Sequence, residues 1–244
     1  CCEAYSKDRA TEIMGVPNVA HFDLEAKPER GNIQQLVNFI VSDLDTAIRM
    51  NQTDEQYRFT VDVARAYLAR TYFWAQDWEN AIKVAREVLN KYPLVEGDEY
   101  KEMIQSSQGM SGEMLFRTFI TGSLTSYNRY LKNVKTRPVN MSLISLFTEK
   151  GRDIRYSTFF DSKFFSTKGI RTCVRSAEMC LILAESYAHL SDNDNALKYL
   201  NLLRSKRISN YEPYSMATLP AASEGEVIKV DATGTKLTPL VAAI

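Results

Sequence analysis

The sequence predicts a mainly α-helical protein in which helical hairpins form a scaffold, with irregular loops and a few short strands inserted between them. Two regions, 33–93 and 174–207, have the apolar spacing of amphipathic helices. The region between them, 94–173, is predicted to be an insertion of loops and short strands. A chain of 244 residues has material for a large core, and we expect a single domain over 1–244.

The stretch 61–93, VDVARAYLARTYFWAQDWENAIKVAREVLNKYP, indicates the kind of hairpin. Its residues have the spacing of a tetratricopeptide repeat, a helix–turn–helix unit of about 34 residues. A turn is predicted at Gln76 and Asp77, and Pro93 ends the second helix because its ring cannot continue the hydrogen-bond ladder. Arg65 departs from the repeat, which usually has Trp there. The matching positions are Leu68, Ala69, Tyr72, Ala81 and Pro93.

The region 174–207 repeats this pattern at a constant offset. Four of its residues lie 115 positions after their counterparts, namely Leu183, Ala184, Tyr187 and Ala196. The offset is far longer than one repeat, so both hairpins are predicted to belong to one scaffold that carries a long insertion. Where the second hairpin begins, Arg175 and Glu178 are three residues apart and are predicted to pair on one helix face.

The other segments are assigned from helix caps, periodicity and turn residues. Residues 1–31 are predicted to be mostly loop, and Asn32 caps a helix that runs to about Met50. The tail, 208–244, is predicted to be loop-rich, with a helix that begins at Pro239. Within the insertion we expect a loop over 94–100, a short helix over 101–108, a strand over 113–119, a loop over 120–133, a helix over 138–148 and two short strands over 152–167.

Charge and hydropathy disfavour some classes of partner. The chain has 30 basic and 30 acidic residues, so no global positive field favours nucleic acid or an anionic membrane surface. No apolar run approaches the ~20 residues of a membrane-spanning helix. Cys173 and Cys180 are about two helical turns apart, too far for a disulfide within one helix, and are predicted to be buried thiols. Cys1 is a candidate lipidation site, since a chain that begins on Cys is typical of a processed bacterial lipoprotein.

Sequence motifs for catalysis and for metal or cofactor binding are absent: there is no HExxH, GxSxG, CxxC or Gly-rich phosphate loop. His21 and His189 are far apart in sequence, and surface or capping roles are predicted for both. No catalytic residue, metal ligand or cofactor is assigned. A pair of glycosidase carboxylates is defined by distance in space, so the sequence leaves that alternative open.

The candidate ligand-binding residues lie in the loop of the insertion and are Tyr127, Asn128, Arg129 and Tyr130. An aromatic ring can stack on the apolar face of a sugar or on a peptide side chain, while Asn and Arg supply directional hydrogen bonds. The alternative is that the two tyrosines anchor the loop to the domain. The doubled Phe pairs at 159–160 and 164–165 are predicted to be core, because Phe gains by burial. Trp74 and Trp78 are interpreted as packing residues beside the turn.

Several segments in the right order resemble the SusD/RagB family of outer-membrane nutrient-binding lipoproteins from Bacteroidetes. IVSDLDTAI at 40–48 resembles the helix before the family's first hairpin, and both hairpins follow the family's pattern. EMLF at 113–116 resembles its short strand, and DIR at 153–155 resembles its turn after a Leu-Phe helix, here at 146–147. The resemblance covers 33–207. The family is longer at both ends, so we expect this chain to be truncated or incompletely observed.

The resemblance implies a location and a function. Proteins of this family are lipid-anchored at the extracellular face of the outer membrane. They cap a SusC-like TonB-dependent β-barrel transporter and deliver oligosaccharides, glycans or peptides to it. They bind these ligands and do not catalyse a reaction. Their helical repeats form a scaffold that packs largely toward the transporter, and loops and short strands carry the ligand site.

Two alternatives come from other classes of protein. A tetratricopeptide-like adaptor would bind a helix or tail of another protein. It needs a contiguous array of repeats, and the 115-residue separation counts against it. A glycoside hydrolase on a helical scaffold would need two carboxylates that face each other across a cleft.

Overall fold

The structure is a computed structural model that describes residues 7–19, 21, 23–53, 59–106, 111–117, 136–167, 173–221 and 228–244. Its helices are α1 (Ile33–Met50), α2 (Val61–Trp74), α3 (Trp78–Lys91), α4 (Gly97–Gln105), α5 (Met141–Ser145), α6 (Ile154–Phe159), α7 (Ser176–His189), α8 (Asn193–Ser205) and α9 (Pro239–Ala243). Its strands are β1 (Met14–Pro17), β2 (Arg30–Asn32), β3 (Met114–Arg117) and β4 (Cys173–Arg175), and a 3-10 helix spans Lys7–Arg9. The predicted mainly α-helical fold is confirmed.

Helix α1 begins where the sequence predicts. The Asn32 side chain accepts a hydrogen bond from the Gln35 amide (2.8 Å), and the Gln35 side chain accepts one from the Asn32 amide (2.9 Å). These two bonds form a capping box. The Val61 amide donates to the Gln52 carbonyl (2.8 Å), which brings the end of α1 to the start of α2. The two helices therefore run in roughly opposite directions, and α1 contacts α2 without fully burying any of its own residues.

The two hairpins, α2–α3 and α7–α8, have the same turn. Gln76 and Ser191, which are 115 positions apart, both adopt left-handed backbone geometry, with φ of 58° and 61°. Asp77 and Asp192 then cap the second helix of each hairpin. Each carboxylate accepts hydrogen bonds from the amide and the side chain of the Asn three residues later. The offset found in the sequence therefore extends through the turn and the cap.

Helices α2 and α7 form the centre of the main core, and both are buried over most of their circumference. α7 packs against α2, α3 and α8. Arg65, which departs from the repeat, is half-buried and pairs with Asp62 at 3.1 Å. Tyr72 is half-buried as well. The repeat positions that are at most 9% exposed are Leu68, Ala69, Ala81, Leu183, Ala184, Tyr187 and Ala196.

The insertion contains a small sheet and a second core. β3 and β4 pair antiparallel, with Met114 opposite Arg175 and Arg117 opposite Cys173. The strand predicted over 113–119 is confirmed for the four residues of β3. The second core consists of Val95, Tyr100, Met103, Ile104 and Met114.

Two boundaries in the insertion differ from the prediction. The loop predicted over 94–100 is wrong in its second half, because α4 begins there. The helix predicted over 138–148 is shorter and is limited to α5. Asn140 caps α5 by accepting a hydrogen bond from the Ser142 amide at 2.8 Å, so the residues before this cap do not join the helix.

The two short strands predicted over 152–167 are wrong in the first half, which forms α6. The Asp153 side chain caps this helix by accepting a hydrogen bond from the Arg155 amide at 2.8 Å. A short run with doubled aromatics does not distinguish a strand from a buried helix by periodicity. After α6, one antiparallel bridge joins Phe160 to Ser166.

The tail packs on the second hairpin. α9 begins at Pro239, as predicted, and contacts α7. Ala232 and Leu240 join the main core and are 8% and 3% exposed. Ala232 lies in a turn, in which the Asp231 carboxylate accepts a hydrogen bond from the Thr233 amide (2.8 Å).

Candidate functional site

The loop that is predicted to bind ligand lies outside the described residues. This holds for all of its candidate residues, which are Tyr127, Asn128, Arg129 and Tyr130. Cys1, the candidate lipidation site, lies outside them too. These assignments stay predictions. The structure does describe two features that adjoin the loop in sequence, here called the frame: the strand pair β3–β4, and the turn at 161–165 that contacts the segment beginning at Thr136.

One part of the frame is the strand pair. The register places Arg117, the last residue of β3, opposite Cys173, the first residue of β4. Because the strands are antiparallel, the chain leaves β3 at the same end of the strand pair at which it enters β4. Arg117 is 3% exposed, and its Nη1 donates a hydrogen bond to the Ser106 carbonyl (3.3 Å). This hydrogen bond connects that end of the strand pair to the end of α4.

The other part of the frame is a tight turn that contacts the segment after the loop. Asp161 Oδ1 accepts hydrogen bonds from the amides of Lys163 (2.8 Å) and Phe165 (3.0 Å). Phe164 adopts a φ of 61° within this turn. The Val139 amide donates to the Phe164 carbonyl at 2.8 Å. The segment that follows the predicted loop is thus fixed to the turn.

The core position predicted for the doubled phenylalanines is confirmed for Phe160. Phe160 is 8% exposed and packs edge to face on Phe147 and Phe159, with 5.6 and 6.1 Å between ring centroids. Phe159, Phe164 and Phe165 are half-buried.

A buried charged pair connects the insertion to the second hairpin. Glu113 is fully buried, and the guanidinium of Arg207, just beyond α8, donates a hydrogen bond to its Oε1. The Val95 amide donates to the same oxygen (3.0 Å), while Arg207 Nη1 donates to the Val95 carbonyl (2.7 Å). Arg207 also lies over the Tyr100 ring, 4.1 Å from its centroid, and burial raises the pKa of this tyrosine. The network holds the frame against the end of α8.

The predicted local pair between Arg175 and Glu178 is wrong. Arg175 has extended backbone geometry (φ −132°, ψ 150°) and therefore does not share a helix face with Glu178. Its Nη1 lies 4.0 Å from a carboxylate oxygen of Glu113. Glu178 instead accepts two hydrogen bonds from Arg70 of α2, at 2.5 and 2.6 Å. Both charges connect segments that are distant in sequence.

Aromatic side chains beside the two turns form a row. Trp78 stacks on His189, with 4.2 Å between ring centroids and 16° between ring planes. Phe73 packs edge to face on Trp78 (5.5 Å) and on Trp74 (5.4 Å). The predicted packing role is confirmed for Trp78, whereas Trp74 is 56% exposed. Surface or capping roles were predicted for both histidines: His21 is exposed, whereas the His189 side chain, in the last turn of α7, is only 13% exposed and packs on Trp78.

Cys180 is a buried free thiol, as predicted. Its Sγ donates a hydrogen bond to the Tyr199 carbonyl at 3.2 Å. Burial raises the pKa of this thiol to about 12, so it stays protonated near neutral pH. No group of three or more His, Cys, Asp or Glu residues in the described ranges could hold a metal ion. Across the same ranges, no helix is both long and apolar enough to cross a membrane.

Comparison with known proteins supports the repeat at the level of family models. The tetratricopeptide repeat model matches residues 65–94, which include most of α2 and all of α3. Among curated proteins, none matches the chain.

Several solved structures share the fold. A SusD superfamily protein from Bacteroides thetaiotaomicron has a TM-score of 0.68 at 19% identity, over 87% of this chain and 56% of that chain. A SusD-like carbohydrate binding protein from Bacteroides vulgatus has a TM-score of 0.66 at 20% identity, over 88% of this chain and 52% of that chain. A SusD superfamily protein from Bacteroides fragilis has a TM-score of 0.63 at 18% identity, over 97% of this chain and 56% of that chain. The chain therefore has the SusD fold, which confirms the predicted resemblance at the level of the fold, and it spans little more than half the length of these proteins.

Proposed function

We propose that this chain belongs to a cell-surface nutrient-binding protein that captures an oligosaccharide or glycan, or a peptide, and delivers it to a SusC-like TonB-dependent transporter. The observation that carries the proposal is the SusD fold, shared over 88% of the chain with a SusD-like carbohydrate binding protein. In this proposal the protein binds its ligand without a catalytic step. A lipid on Cys1 holds it at the extracellular face of the outer membrane.

In this proposal the ligand is bound by the loop predicted over 120–133, which lies between parts of a rigid scaffold. Recognition loops discriminate best when a rigid scaffold positions them. Here β3 precedes the predicted loop and is paired with β4, the segment that follows the loop is bonded to the turn at 161–165, and the buried pair of Glu113 and Arg207 joins the insertion to the second hairpin. Tyr127 and Tyr130 would stack on the ligand, and the side chains between them would donate and accept hydrogen bonds.

The ligand part of the proposal is tested by incubating the purified chain with an array of bacterial, plant and host oligosaccharides. The affinity of the best-bound oligosaccharide is then measured by calorimetry. The double variant Tyr127→Ala/Tyr130→Ala should lose most of this affinity while its melting temperature stays nearly unchanged. Tyr211→Ala, at a half-buried tyrosine after α8, is the control and should bind normally. A large drop in melting temperature for the double variant would instead mean that the two tyrosines anchor the loop.

The transporter and the lipid anchor are tested in the source cells. The tagged native protein is extracted in a mild detergent, and the proteins that accompany it are identified. A co-purifying β-barrel transporter, together with radiolabelled lipid that Cys1→Ala abolishes, is the expected result. Recovery of an unlipidated protein without a membrane partner would contradict this part of the proposal.

A second candidate, an adaptor that binds a helix or tail of another protein, is favoured by the tetratricopeptide match at 65–94. Only one repeat is matched, whereas at least about three stacked repeats are needed to build a stable array. Capture of one soluble protein by the purified chain, without binding to any oligosaccharide, would favour the adaptor. Release of sugar products from the array oligosaccharides would instead indicate a hydrolase.

A further inference from the structure

An open groove lies at the start of α1, between the first turn of this helix and the strand pair β1–β2. Its volume is about 410 Å³, which lies within the ~300–1,000 Å³ of small-molecule sites. Arg30, in the wall of the groove, donates hydrogen bonds from Nε to the Gly15 carbonyl (2.6 Å) and from Nη2 to the Met14 carbonyl (3.1 Å). These bonds fix the wall, so the groove is already formed before a ligand enters.

The backbone amides at the start of α1 are all bonded within the protein. The Ile33 and Gln34 amides donate to carbonyls in the segment 10–13, at 3.0 and 3.1 Å. The Asn32 and Gln35 amides donate to each other's side chains in the capping box. These are the four amides that the start of a helix leaves without intrahelical partners. This helix end therefore offers no backbone donor to an anion, and recognition in the groove depends on side chains.

Two side-chain amino groups in the groove remain for a ligand. The capping box uses only the oxygens of the Asn32 and Gln35 side chains, so each side chain keeps an –NH₂ group with two N–H donors. Both side chains line the groove, and in the described part of the chain neither amino group donates a hydrogen bond. Because the two residues bond each other, these donors lie close together. They match a ligand group that accepts hydrogen bonds at one place.

The rest of the lining supplies an acceptor and apolar contacts. The carboxylate of the exposed Glu29 accepts hydrogen bonds. Val16 is 58% exposed and Leu36 is half-buried, so both present aliphatic carbon to the groove. The charges of Glu29 and Arg30 offset each other, which favours a neutral ligand. None of the lining residues that the structure describes is aromatic, so the groove lacks the ring on which an unmodified sugar would stack.

A secondary amide that carries a methyl group matches this set of side chains. Its carbonyl oxygen accepts hydrogen bonds from the amino groups of Asn32 and Gln35, and its N–H donates to Glu29. Its methyl group packs on the aliphatic side chains of Val16 and Leu36. An N-acetylated sugar carries one such group on its ring, whereas an unmodified hexose has a hydroxyl there. A peptide has an amide at every residue, and this groove provides for one.

We propose that the groove at the start of α1 binds an N-acetylated sugar unit of a glycan through its acetamido group. This inference rests on the proposed glycan-binding function and names the class of sugar at a site that is separate from the predicted loop. The discriminating contacts are the amino groups of Asn32 and Gln35, which an unmodified hexose does not use in the same way.

The probes are two disaccharides with the same linkage, and affinity is measured by calorimetry. N,N′-diacetylchitobiose carries acetamido groups, and cellobiose has hydroxyls in their place. The unmodified chain should bind the first about tenfold more tightly than the second, as for the loss of a hydrogen bond. Equal affinities for the two disaccharides would overturn the inference.

Two variants remove the amino groups and keep the helix cap. Asn32→Asp and Gln35→Glu retain the oxygens that the capping box uses, and a carboxylate is favourable at a helix start. Their melting temperatures should therefore be unchanged or higher, while each should bind N,N′-diacetylchitobiose about tenfold more weakly. Asn38→Asp is the control, since it adds the same charge to an exposed position of α1 outside the groove lining. Its affinity should equal that of the unmodified chain.

Further outcomes separate this inference from the proposed function. The loop variant Tyr127→Ala/Tyr130→Ala should still bind N,N′-diacetylchitobiose, because the groove is a separate site. If an array oligosaccharide binds but N,N′-diacetylchitobiose does not, or if Asn32→Asp and Gln35→Glu both bind it normally, this inference falls and the proposed function stands. Binding of N-acetylated trialanine in place of the disaccharide would assign the groove to peptides and overturn the inference. If no array oligosaccharide binds the unmodified chain, the glycan function and this inference both fall.

Discussion

The two hairpins of this protein have matching turns but differ at their bases. The base is the end opposite the turn, where the first helix begins and the second helix ends. At the turns, Gln76 and Ser191 share the same left-handed geometry, and Asp77 and Asp192 make the same cap. At the bases, the residue at the matching position just beyond the second helix differs. Tyr92 stands in the first hairpin, and Arg207 stands 115 positions later in the second.

The base of the first hairpin is closed by its own residues. Asp62, near the start of α2, accepts hydrogen bonds from Lys91 Nζ (2.6 Å) and the Tyr92 hydroxyl (2.9 Å). The base of the second hairpin is closed by the insertion, because Arg207 reaches the buried Glu113. In the second hairpin, the position that corresponds to Asp62 is occupied by Ala177, whose side chain has no carboxylate.

This difference shows how one repeated unit is connected to the inserted region. The turn is a local structure whose cap is made, in both copies, by residues of the same hairpin. The base of the second copy lacks its own carboxylate and depends on one that the insertion supplies. Substitutions at four places test this comparison: the base of the second hairpin, the core leucines, the base of the first hairpin and the turns, in order of expected effect.

The largest effect is expected from the base of the second hairpin. Glu113→Gln removes the charge that Arg207 faces and leaves a buried cation without its partner. We expect a loss of about 3–5 kcal/mol in the free energy of unfolding, measured by urea denaturation. Glu96→Gln is the control, since Glu96 is 61% exposed and pairs with the neighbouring Lys206 at 3.0 Å. That surface pair should contribute about 0–1 kcal/mol, and equal losses for the two variants would contradict the comparison.

Truncation of the matched core leucines comes next. Leu183 is fully buried and Leu68 is 4% exposed. Each Leu→Ala change should lower the free energy of unfolding by about 2–5 kcal/mol, because it opens a cavity. Leu183→Ala should cost at least as much, since α7 packs against α2, α3 and α8. Little loss at either site would show that the repeat positions are not the centre of the core.

The base of the first hairpin should respond to pH. Burial opposes ionisation of Asp62, but the hydrogen bonds from Lys91 and Tyr92 outweigh it, so the pKa of Asp62 is lowered in the folded protein. A lowered pKa contributes stability above the unfolded pKa, and this contribution is lost as pH falls through the folded value. Asp62→Asn should therefore cost about 1–2 kcal/mol at pH 7 and progressively less below pH ~4.

Tyr92 reports the same contact at alkaline pH. Burial and the hydrogen bond to Asp62 raise the pKa of Tyr92 to about 12, so Tyr92 contributes stability that is lost as pH rises from its ordinary value of 10.0. In Asp62→Asn, ultraviolet titration should show a tyrosine pKa that moves back toward the ordinary value. The exposed Asp43→Asn is the control and should change neither readout. A cost for Asp62→Asn that is constant from pH 3 to pH 7 would contradict the assignment.

The smallest effects are expected at the turns. Asp77→Ala and Asp192→Ala each remove one helix cap and should lower the free energy of unfolding by about 1 kcal/mol. Since the two caps have the same geometry, the two losses should agree within about 0.5 kcal/mol. A clear inequality would mean that the turns differ in their surroundings despite their common backbone.

Much of the scaffold could be predicted from the sequence because its signals are local. The cap at Asn32, the turn at Gln76 and the apolar positions of both hairpins depend on residues three or four apart. The constant offset of 115 residues added one long-range relation, namely that both hairpins belong to one scaffold. The candidate ligand residues at 127–130 stay a prediction that only binding measurements can test.

The sequence by itself therefore determined the helices, the turns and the buried face of each hairpin, because backbone hydrogen bonds and side-chain spacing within one element specify them. Only the tertiary structure decided which charges meet. Glu178 bonds Arg70 from 108 residues away, and Glu113 bonds Arg207 from 94 residues away. It also decided that Trp74 is exposed while its counterpart His189 is covered. A local sequence pattern cannot predict these contacts, because they depend on how the helices pack against one another in the core.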